Sequence, residues 1–515
     1  MPYSYFWIHE TVSVIEIIGK SRFFRAQTPV SCHRNFIKYK QNKEQSKLLE
    51  NNYHLQGVLP MRSIKNMRNP ILPLDIHIPD SEAHVMPDGR LYVYGSYDDR
   101  EDVYCSEQYF VVSTPDMEHW TVHEESLNGN DIPWFNNPDA PKYPGIDWSH
   151  PTPFIRKMLE DALAAGGEDM KEKFEKEDDG EKPALLFAPD CIYKDGLYYL
   201  YFCMQDDSEG VAVSDKPEGP FRDPVQLPCG GIDPAIFIDD DGQAYYYWGQ
   251  LFSHGVKLNP DMISFDREQI VDDLVTEEEH FFHEGSSMRK IGDTYYYLYA
   301  DMERGKPTAL GYSTGTSPLG PFTYQGIIID NDGCDPASWN NHGSICCLNG
   351  QWYIFYHRCS RGVQQHRRLC VEPITIGPDG RIAEVPMTSQ GAGKPFAPGE
   401  PIMGYQACKL VGLSYIAPDA ACGESLQNIA AGDEAVFRYV ESETDWSRVE
   451  LTYTGSGTVQ IYMDEELVGT IECPADPDST AAYSFGSIHC PSGKYTLKLK
   501  FEKAQGLTLQ KIVLS

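Results

Sequence analysis

The sequence predicts an all-β protein, in which a five-bladed β-propeller is followed by a β-sandwich of the jelly-roll kind. The first observation is a hairpin that recurs five times, each copy with a glycine turn and a strand rich in aromatic residues. The second is a loop ending in an aromatic residue, which follows each of the first four hairpins at a similar distance. The third is a change, beyond residue 395, to alternating strands joined by glycine-containing turns.

The turn glycines of the five hairpins set the repeat length. They are Gly89, Gly196, Gly242, Gly292 and Gly350, and by subtraction the last four are 46, 50 and 58 residues apart. A four-stranded propeller blade takes roughly 40–50 residues, so the spacing fits one hairpin for each blade. The first interval, 107 residues, is about one blade too long. An insertion at residues 150–185, which has a helical pattern flanked by charged residues, accounts for the excess.

The loops that end the first four blades carry an aromatic residue about 23–31 residues beyond each turn glycine. These aromatic residues are Trp120, Phe221, Phe265 and Phe322. A series of β-sandwiches is the alternative, because sandwiches also repeat strands every 8–12 residues or so. Two signals that recur in phase at blade spacing favour the propeller.

The chain divides into three parts by composition. Residues 1–66 are basic and polar, and they form either a small arm or a stretch upstream of a start at Met61 or Met67. Residues 67–395 are expected to form the propeller. The segment Ser389–Pro401 is rich in Gly and Pro and predicts a domain boundary, after which residues 402–515 form the β-sandwich.

Acidic residues outnumber basic ones by 76 to 43, giving a formal charge of −33. This charge repels phosphate backbones and anionic lipid, so neither nucleic acid nor a membrane is expected as a partner. The first residues lack the basic region of a signal peptide, and no apolar run has the length of a membrane span. The fourteen cysteines include no C-x-x-C pair and are expected to be reduced core thiols. We therefore expect a cytoplasmic protein, without a prediction of its oligomeric state.

One polar residue precedes the turn glycine of each hairpin by six to nine positions, where the innermost strand of a blade begins. These residues are Asp80, Asp190, Asp233, Glu284 and His342. Converging carboxylates push one another's pKa values apart, which suits general acid–base catalysis on a neutral, polyhydroxylated substrate. Glycoside hydrolysis is the reaction that this predicts. Taken alone, any one of these acids could instead cap a strand, and for Asp190 the two interpretations are equally open.

From "NPILPLDIHIPDSEAHV" to "HRRLCVEPI" the chain resembles glycoside hydrolase family 43. The matching motifs occur in order, as "APD", "IDPAIFIDDDG", "HEGSS" and "HGS". The resemblance implies an inverting enzyme with Asp80 as general base, Glu284 as general acid and Asp233 orienting Glu284 and raising its pKa. The two reacting carboxyl groups should then stand roughly 6.5–9.5 Å apart. The usual Asp-Pro at the base position is Asp80-Ser81 here, and the nearby Asp75 is a rival.

The resemblance also implies a histidine on the propeller axis and an arginine against the substrate. His342 is either that histidine, facing a structural Ca²⁺ through water, or a channel histidine without metal, and no cofactor is required for the reaction. Arg367 is the expected substrate-binding arginine, with Arg368 as the alternative because adjacent strand residues face opposite ways.

Asp190 is placed with the substrate-binding residues. Trp134 and Trp148, just before the insertion, either stack on sugar rings or pack the insertion against its blade.

The C-terminal part is similar to carbohydrate-binding module family 6 in its strand pattern and its closing "LTLQKIVLS". Trp446 and Tyr483 are either stacking rings for sugar or core residues. We expect an exo-acting β-xylosidase or α-L-arabinofuranosidase that acts on xylo- or arabino-oligosaccharides from plant hemicellulose. The alternatives are an endo-arabinanase of the same fold, a five-bladed retaining fructosidase and a non-catalytic sugar-binding propeller.

Overall fold

The computed structural model describes residues 61–143, 145, 152–157, 182–476 and 481–515. Within these residues almost all regular structure is β-strand, arranged as five small antiparallel sheets in chain order and one larger sheet at the C-terminal end. The prediction of an all-β fold with a five-bladed propeller is confirmed. None of the described helices is both long and apolar enough to cross a membrane.

Each of the five small sheets is one blade. The first contains β1 (Met61–Lys65), β2 (Glu82–Val85), β3 (Leu91–Tyr94), β4 (Gln108–Thr114) and β5 (His119–Asn128). The second contains β6 (Leu186–Lys194), β7 (Leu197–Met204), β8 (Ser208–Ser214) and β9 (Arg222–Gly230). The third contains β10 (Ala235–Ile238), β11 (Ala244–Trp248), β12 (His254–Lys257) and β13 (Val271–Asp272). The fourth contains β14 (Phe282–Ile291), β15 (Thr294–Asp301), β16 (Ala309–Gly315) and β17 (Phe322–Asp330), and the fifth contains β18 (Ser344–Leu348), β19 (Gln351–Ser360) and β20 (Val363–Ile374).

The five predicted turn glycines all lie between the two innermost strands of a blade. Their φ angles range from +61° to +94°, the left-handed region that favours glycine. A Cβ atom at any of the five would meet no other atom within 4 Å. The requirement for glycine is therefore conformational, and the hairpin repeat marks the blades because each tip needs the same backbone geometry.

The hydrophobic core is divided among the five interfaces between neighbouring blades. Each of five clusters draws residues from two consecutive blades, and the last of them joins blade five back to blade one. The aromatic residues predicted to end the blades are all buried in these clusters, namely Trp120, Phe221, Phe265 and Phe322. Full burial of such a side chain contributes about 1.5–3 kcal/mol, so the interfaces carry much of the stability of the ring.

Closure of the ring depends on the segment that enters blade one. β1 forms the outer edge of the first sheet by pairing with β5, although Met61–Lys65 falls in the part of the chain separated above as an extension. Asn69 then crosses to blade five. Its side-chain amide donates to the carbonyl oxygens of Val371 and Thr388, both at 3.0 Å, and its side-chain oxygen accepts from the Val371 N–H at 2.9 Å.

The C-terminal sheet has nine strands around one core. They are β21 (Pro401–Met403), β22 (Lys409–Val411), β23 (Tyr415–Asp419), β24 (Gly423–Gln427), β25 (Glu434–Ser442), β26 (Trp446–Met463), β27 (Glu466–Cys473), β28 (Ala482–Cys490) and β29 (Gly493–Leu514). The long strands β26 and β29 pair along most of their length and join the two ends of the sheet. Trp446 lies in the core, whereas Tyr483 is exposed.

The predicted insertion at 150–185 lies mostly outside the described residues. Of its described parts, residues 153–157 are helical, and the Phe154 ring meets the His283 ring edge-on with centroids 5.2 Å apart. The insertion therefore contacts blade four at His283, the residue that precedes Glu284.

Replacement of Asn69 by alanine should weaken closure of the ring. The change removes one buried acceptor and the donor that serves two buried carbonyl groups, so we expect the free energy of unfolding to fall by roughly 2–4 kcal/mol. Urea unfolding followed by tryptophan fluorescence measures this change. Asn130→Ala, at an exposed site, is the control and should alter stability by less than about 0.5 kcal/mol. Equal stabilities for the two variants would contradict the role given to Asn69.

Candidate active site

A pocket lined by several carboxylates opens where the innermost strands of the blades begin. The empty space between its lining side chains, open solvent included, is about 400 Å³. Five of the residues predicted from the sequence line it, namely Asp80, Asp233, Glu284, His342 and Arg367. The other lining residues are Tyr104, Cys105, Phe187, Ile232 and Asn340.

Two of the carboxylates owe their position to the same backbone feature. Asp80 and Asp233 have φ angles of +55° and +57°. Each lies two residues before the innermost strand of its blade, which is β2 for Asp80 and β10 for Asp233. Aspartate is among the few residues other than glycine that adopt this left-handed conformation readily. The local sequence therefore turns each side chain out of its strand at the same level of the ring.

Glu284 is placed by an irregularity within its strand. The pairing of β14 with β15 shifts register on both sides of Glu284, and the next residue, Gly285, has a φ of +76°. Such bulges re-aim a side chain that a regular strand would direct elsewhere. A Cβ at Gly285 would lie 3.1 Å from the His342 ring, so the glycine also leaves room for that imidazole.

Asp80 is held as a carboxylate. It accepts hydrogen bonds from the Arg367 guanidinium at 2.7 Å and from the Ser96 hydroxyl at 2.7 Å. Burial opposes its ionisation, but the positive charge of Arg367 and the Ser96 hydrogen bond outweigh burial, and the pKa of Asp80 is lowered. His357 accepts the Asp80 backbone N–H at Nδ1 and faces the Asn340 carbonyl oxygen at 3.0 Å with Nε2, so this imidazole is neutral and protonated on Nε2.

The surroundings of Asp233, which include Glu284, shift its pKa in the opposite direction to that of Asp80. Burial raises the pKa of Asp233 well above its ordinary value, and the nearby carboxylates of Glu284 and Asp80 raise it further. Asp233 therefore keeps its proton to a higher pH than a solvent-exposed aspartic acid does. Glu284 itself accepts the side-chain amide of Gln250 at 2.8 Å.

Arg367 is the fixed positive charge of the pocket. Its backbone N–H and its Nε both donate to one oxygen of Asp98, and Nη2 donates to the other at 3.0 Å. The guanidinium carbon lies 4.9 Å from the centre of the Tyr104 ring. Arg368, the alternative in the sequence, faces the other way and pairs with Glu424 of the C-terminal sheet.

His342 lines the pocket beside Asp233. Its Nδ1 is 3.5 Å from an Asp233 carboxylate oxygen, and burial lowers its pKa, which keeps the ring neutral. Its Nε2 is buried and has no hydrogen-bond partner among the described residues. A water molecule at this atom would complete its hydrogen bonding.

Two predicted positions, Asp190 and Trp134, do not contribute to the pocket in the way expected. Asp190 is fully buried and accepts from His84 and from the backbone N–H groups of Cys191 and Ile236, so it ties inner strands together. Trp134 stacks on Phe202 in the cluster between blades one and two and is only 7% exposed.

Trp148 lies outside the described residues. Asp75, the rival to Asp80, forms an ion pair with Arg62 at the surface, where its side chain is 67% exposed.

The pocket also contains residues that the sequence did not single out. Asp98 orients Arg367, and Tyr104 and Asn340 line the wall. Asn340 could have been found from its place two residues before His342. Asp98 and Tyr104 belong to the segment between β3 and β4, where no strand periodicity shows which side chains point inward.

Known proteins of one enzyme family resemble this chain in sequence. Residues 168–382 match the model for "Glycosyl hydrolases family 43". A xylosidase/arabinosidase of Thermoclostridium stercorarium is 30% identical over 393 residues, covering 67% of this chain and 72% of the relative. The chain belongs to glycosyl hydrolase family 43. It is therefore a glycoside hydrolase.

Two further family members show how far the likeness extends. A β-xylosidase of Xylanibacter ruminicola is 32% identical over 359 residues, covering 61% of this chain and 98% of the relative. A family 43 β-xylosidase/α-arabinofuranosidase from a compost microbial metagenome, solved with xylotriose in a calcium-free form, is 28% identical. It covers 63% of this chain and 99% of its own, with a TM-score of 0.47.

The lowered pKa of Asp80 predicts how its contribution to stability depends on pH. In the unfolded chain the pKa is about 3.8, and the folded value lies below it. The stabilising contribution is therefore fully present above about pH 4 and is lost as the pH falls through the folded pKa. We expect Asp80→Asn to cost roughly 1–3 kcal/mol at neutral pH and progressively less below about pH 4.

Urea unfolding of both proteins between about pH 7 and pH 3 measures this difference. Asp379→Asn, at an exposed turn, serves as the control for general effects of removing a carboxylate. A cost for Asp80→Asn that stayed constant or grew toward acid pH would contradict the assignment of Asp80 as the ionised group.

Proposed function

We propose that this family 43 enzyme is an inverting, exo-acting hydrolase that releases xylose or L-arabinofuranose from oligosaccharide fragments of plant hemicellulose. The observation that carries the proposal is the unequal environment of the pocket carboxyls. Asp80 has its pKa lowered beside Arg367, whereas burial and the neighbouring Glu284 carboxylate raise the pKa of Asp233. A base and an acid thus coexist in one pocket.

The roles follow from these protonation states. Asp80, as the carboxylate, takes a proton from a water molecule that attacks the anomeric carbon from one face of the sugar. Glu284 donates a proton to the departing glycosidic oxygen on the other face. Asp233 supports Glu284 as the neighbouring carboxyl with a raised pKa, and Arg367 keeps Asp80 ionised throughout. The water attacks directly, so the configuration at the anomeric carbon inverts.

The substrate class is supported by the relatives and by the size of the pocket. The relatives named above are a xylosidase/arabinosidase and a β-xylosidase. A small pocket suits removal of one terminal sugar more than binding of a long chain. The net charge of −33 does not disfavour a neutral sugar. We further propose that the enzyme acts in the cytoplasm on imported oligosaccharides, which agrees with its many thiols.

The cluster of Glu82, His84 and Asp190, whose ligand atoms lie within 4.8 Å of one another, fits a calcium ion poorly. Calcium takes six to eight oxygen ligands, but this set offers two carboxylates and one imidazole. His84 already binds Asp190 at 2.7 Å, and the Arg289 guanidinium binds Glu82 at 2.7 Å. A fixed cation therefore already neutralises the acidic group, and we assign calcium no step. A calcium ion that faces His342 through water stays a prediction.

Inversion is tested by the configuration of the first product. Proton NMR of the enzyme with xylo- and arabino-oligosaccharides should show α-xylose first from a β-linked donor, or β-arabinofuranose first from an α-linked one. The sugar released also decides between the two specificities. Retained configuration would contradict the roles of Asp80 and Glu284.

The two catalytic roles are separated by leaving-group dependence. Glu284→Gln should lower kcat by about 10²–10⁴-fold on oligosaccharides, but far less on aryl glycosides whose leaving group needs no proton. Asp80→Asn should lower kcat similarly on both kinds of substrate, since the water still needs a base. Glu278→Gln, on the exposed helical turn Glu277–His280, is the control and should retain full activity. A Glu284→Gln variant with unchanged turnover on oligosaccharides would remove Glu284 as the acid.

A further inference from the structure

The hairpin that joins β19 to β20 lies between the C-terminal sheet and the pocket. On the pocket side, the Gln364 side-chain oxygen accepts the hydroxyl of Tyr104 at 3.2 Å. Tyr104 lines the pocket, and its ring lies under the Arg367 guanidinium. Arg367 follows Gln364 by three residues on β20. The hairpin thus supports one wall of the pocket at two points.

On its other side the same hairpin is held by the C-terminal sheet. The Arg361 backbone N–H donates to the Ile416 carbonyl oxygen at 2.8 Å. A Cβ at Gly362 would lie 3.4 Å from the Tyr415 ring, so strand β23 packs directly on the turn. On the hairpin's side both contacts involve the backbone, at Arg361 and Gly362, and they therefore fix where the turn lies.

Glu424, on β24, supplies the charge at this contact. It is 1% exposed, and it pairs with Arg368 of β20, which is itself buried. The Arg361 guanidinium lies 3.7 Å from the same Glu424 oxygen, and its other nitrogen binds Glu101 at 2.5 Å. Glu101 precedes Tyr104 by three residues, so Arg361 links Glu424 to the segment that carries the pocket tyrosine.

From these contacts we infer that the C-terminal sheet builds part of the substrate pocket, with Glu424 as a positioning residue for Tyr104. Glu424 does not touch the pocket. It holds Arg361 and Arg368, these hold the β19–β20 hairpin, and the hairpin holds Tyr104 against the sugar. The sheet thereby acts on the affinity of the catalytic pocket for its substrate, a role distinct from binding carbohydrate on its own surface.

Glu424→Gln tests this role because the amide keeps the shape and one acceptor oxygen while removing the charge. We expect KM for an aryl xyloside or arabinofuranoside to rise roughly tenfold, with kcat within about twofold of the wild type. A variant that was merely partly unfolded would lose apparent kcat and keep its KM. Gln364→Ala breaks the link at its far end without unpairing a buried charge, and it should raise KM in the same way.

The matched control is Glu465→Gln, in the turn between β26 and β27, where the glutamate is 91% exposed and forms its one ion pair among the described residues with Lys498 of the same sheet. It should leave KM and kcat unchanged. If Glu424→Gln and Gln364→Ala also left KM within about twofold of the wild type, or lowered kcat alone, the inference would be wrong.

The kinetic test rests on the proposed function, so a second measurement is made without substrate. Hydrogen exchange of backbone amides in residues 99–108 should be at least about threefold faster in Glu424→Gln than in the wild type or Glu465→Gln. A wild type without pentosidase activity would refute the proposed function alone. Unchanged exchange in this segment would refute the coupling, whatever the enzyme hydrolyses.

Discussion

The buried guanidinium of Arg367 is the charge on which the pocket depends. Asp80, Asp98, Asp233 and Glu284 are all nearly inaccessible to solvent, and four carboxylates grouped in this way would otherwise repel one another. Arg367 binds Asp80 and Asp98 directly. Among the described hydrogen bonds, it makes none to Asp233 or Glu284. Its asymmetric position lowers the pKa of Asp80, which it contacts, whereas the pKa of Asp233, which it does not contact, is raised.

The ring determines how accurately these groups face one another. Asp80, Asp233, Glu284 and Arg367 come from four different blades, so no single sheet sets the distances between them. The distances are set by the interfaces between blades, where the large aromatic side chains are buried. A change in packing at any interface would therefore alter the distances between the pocket residues. The hydrophobic core and the catalytic groups depend on the same contacts between blades.

Much of this arrangement could be predicted from the sequence because it repeats. The turn glycines recur at blade spacing, and counting back from each identifies a polar residue at the start of the inner strand. The same count also selects Asp190, which proves to bind backbone amides and His84, because position in a strand does not reveal what a side chain meets. Asp75 remained a rival to Asp80 until its surface ion pair with Arg62 was known.

Contacts between distant segments leave no pattern along the chain. Asp98 and Tyr104 lie in an irregular segment, and their partners Arg367 and Gln364 are more than two hundred residues away. Trp134 had two plausible roles, and only its stack on Phe202 assigns it to the core. The pairing of Glu424 with Arg368 likewise required the two domains to be seen together.

The left-handed backbone at Asp80 and Asp233 has a consequence for how the family can diverge. Aspartate, asparagine and glycine adopt this conformation most readily, so asparagine and glycine are the replacements that best preserve the backbone at these two positions. In the genetic code, asparagine and glycine codons each differ from aspartate codons by one base. With the roles proposed for Asp80 and Asp233, a single nucleotide change at either position would therefore remove a carboxylate needed for hydrolysis while keeping the backbone conformation that the propeller requires there.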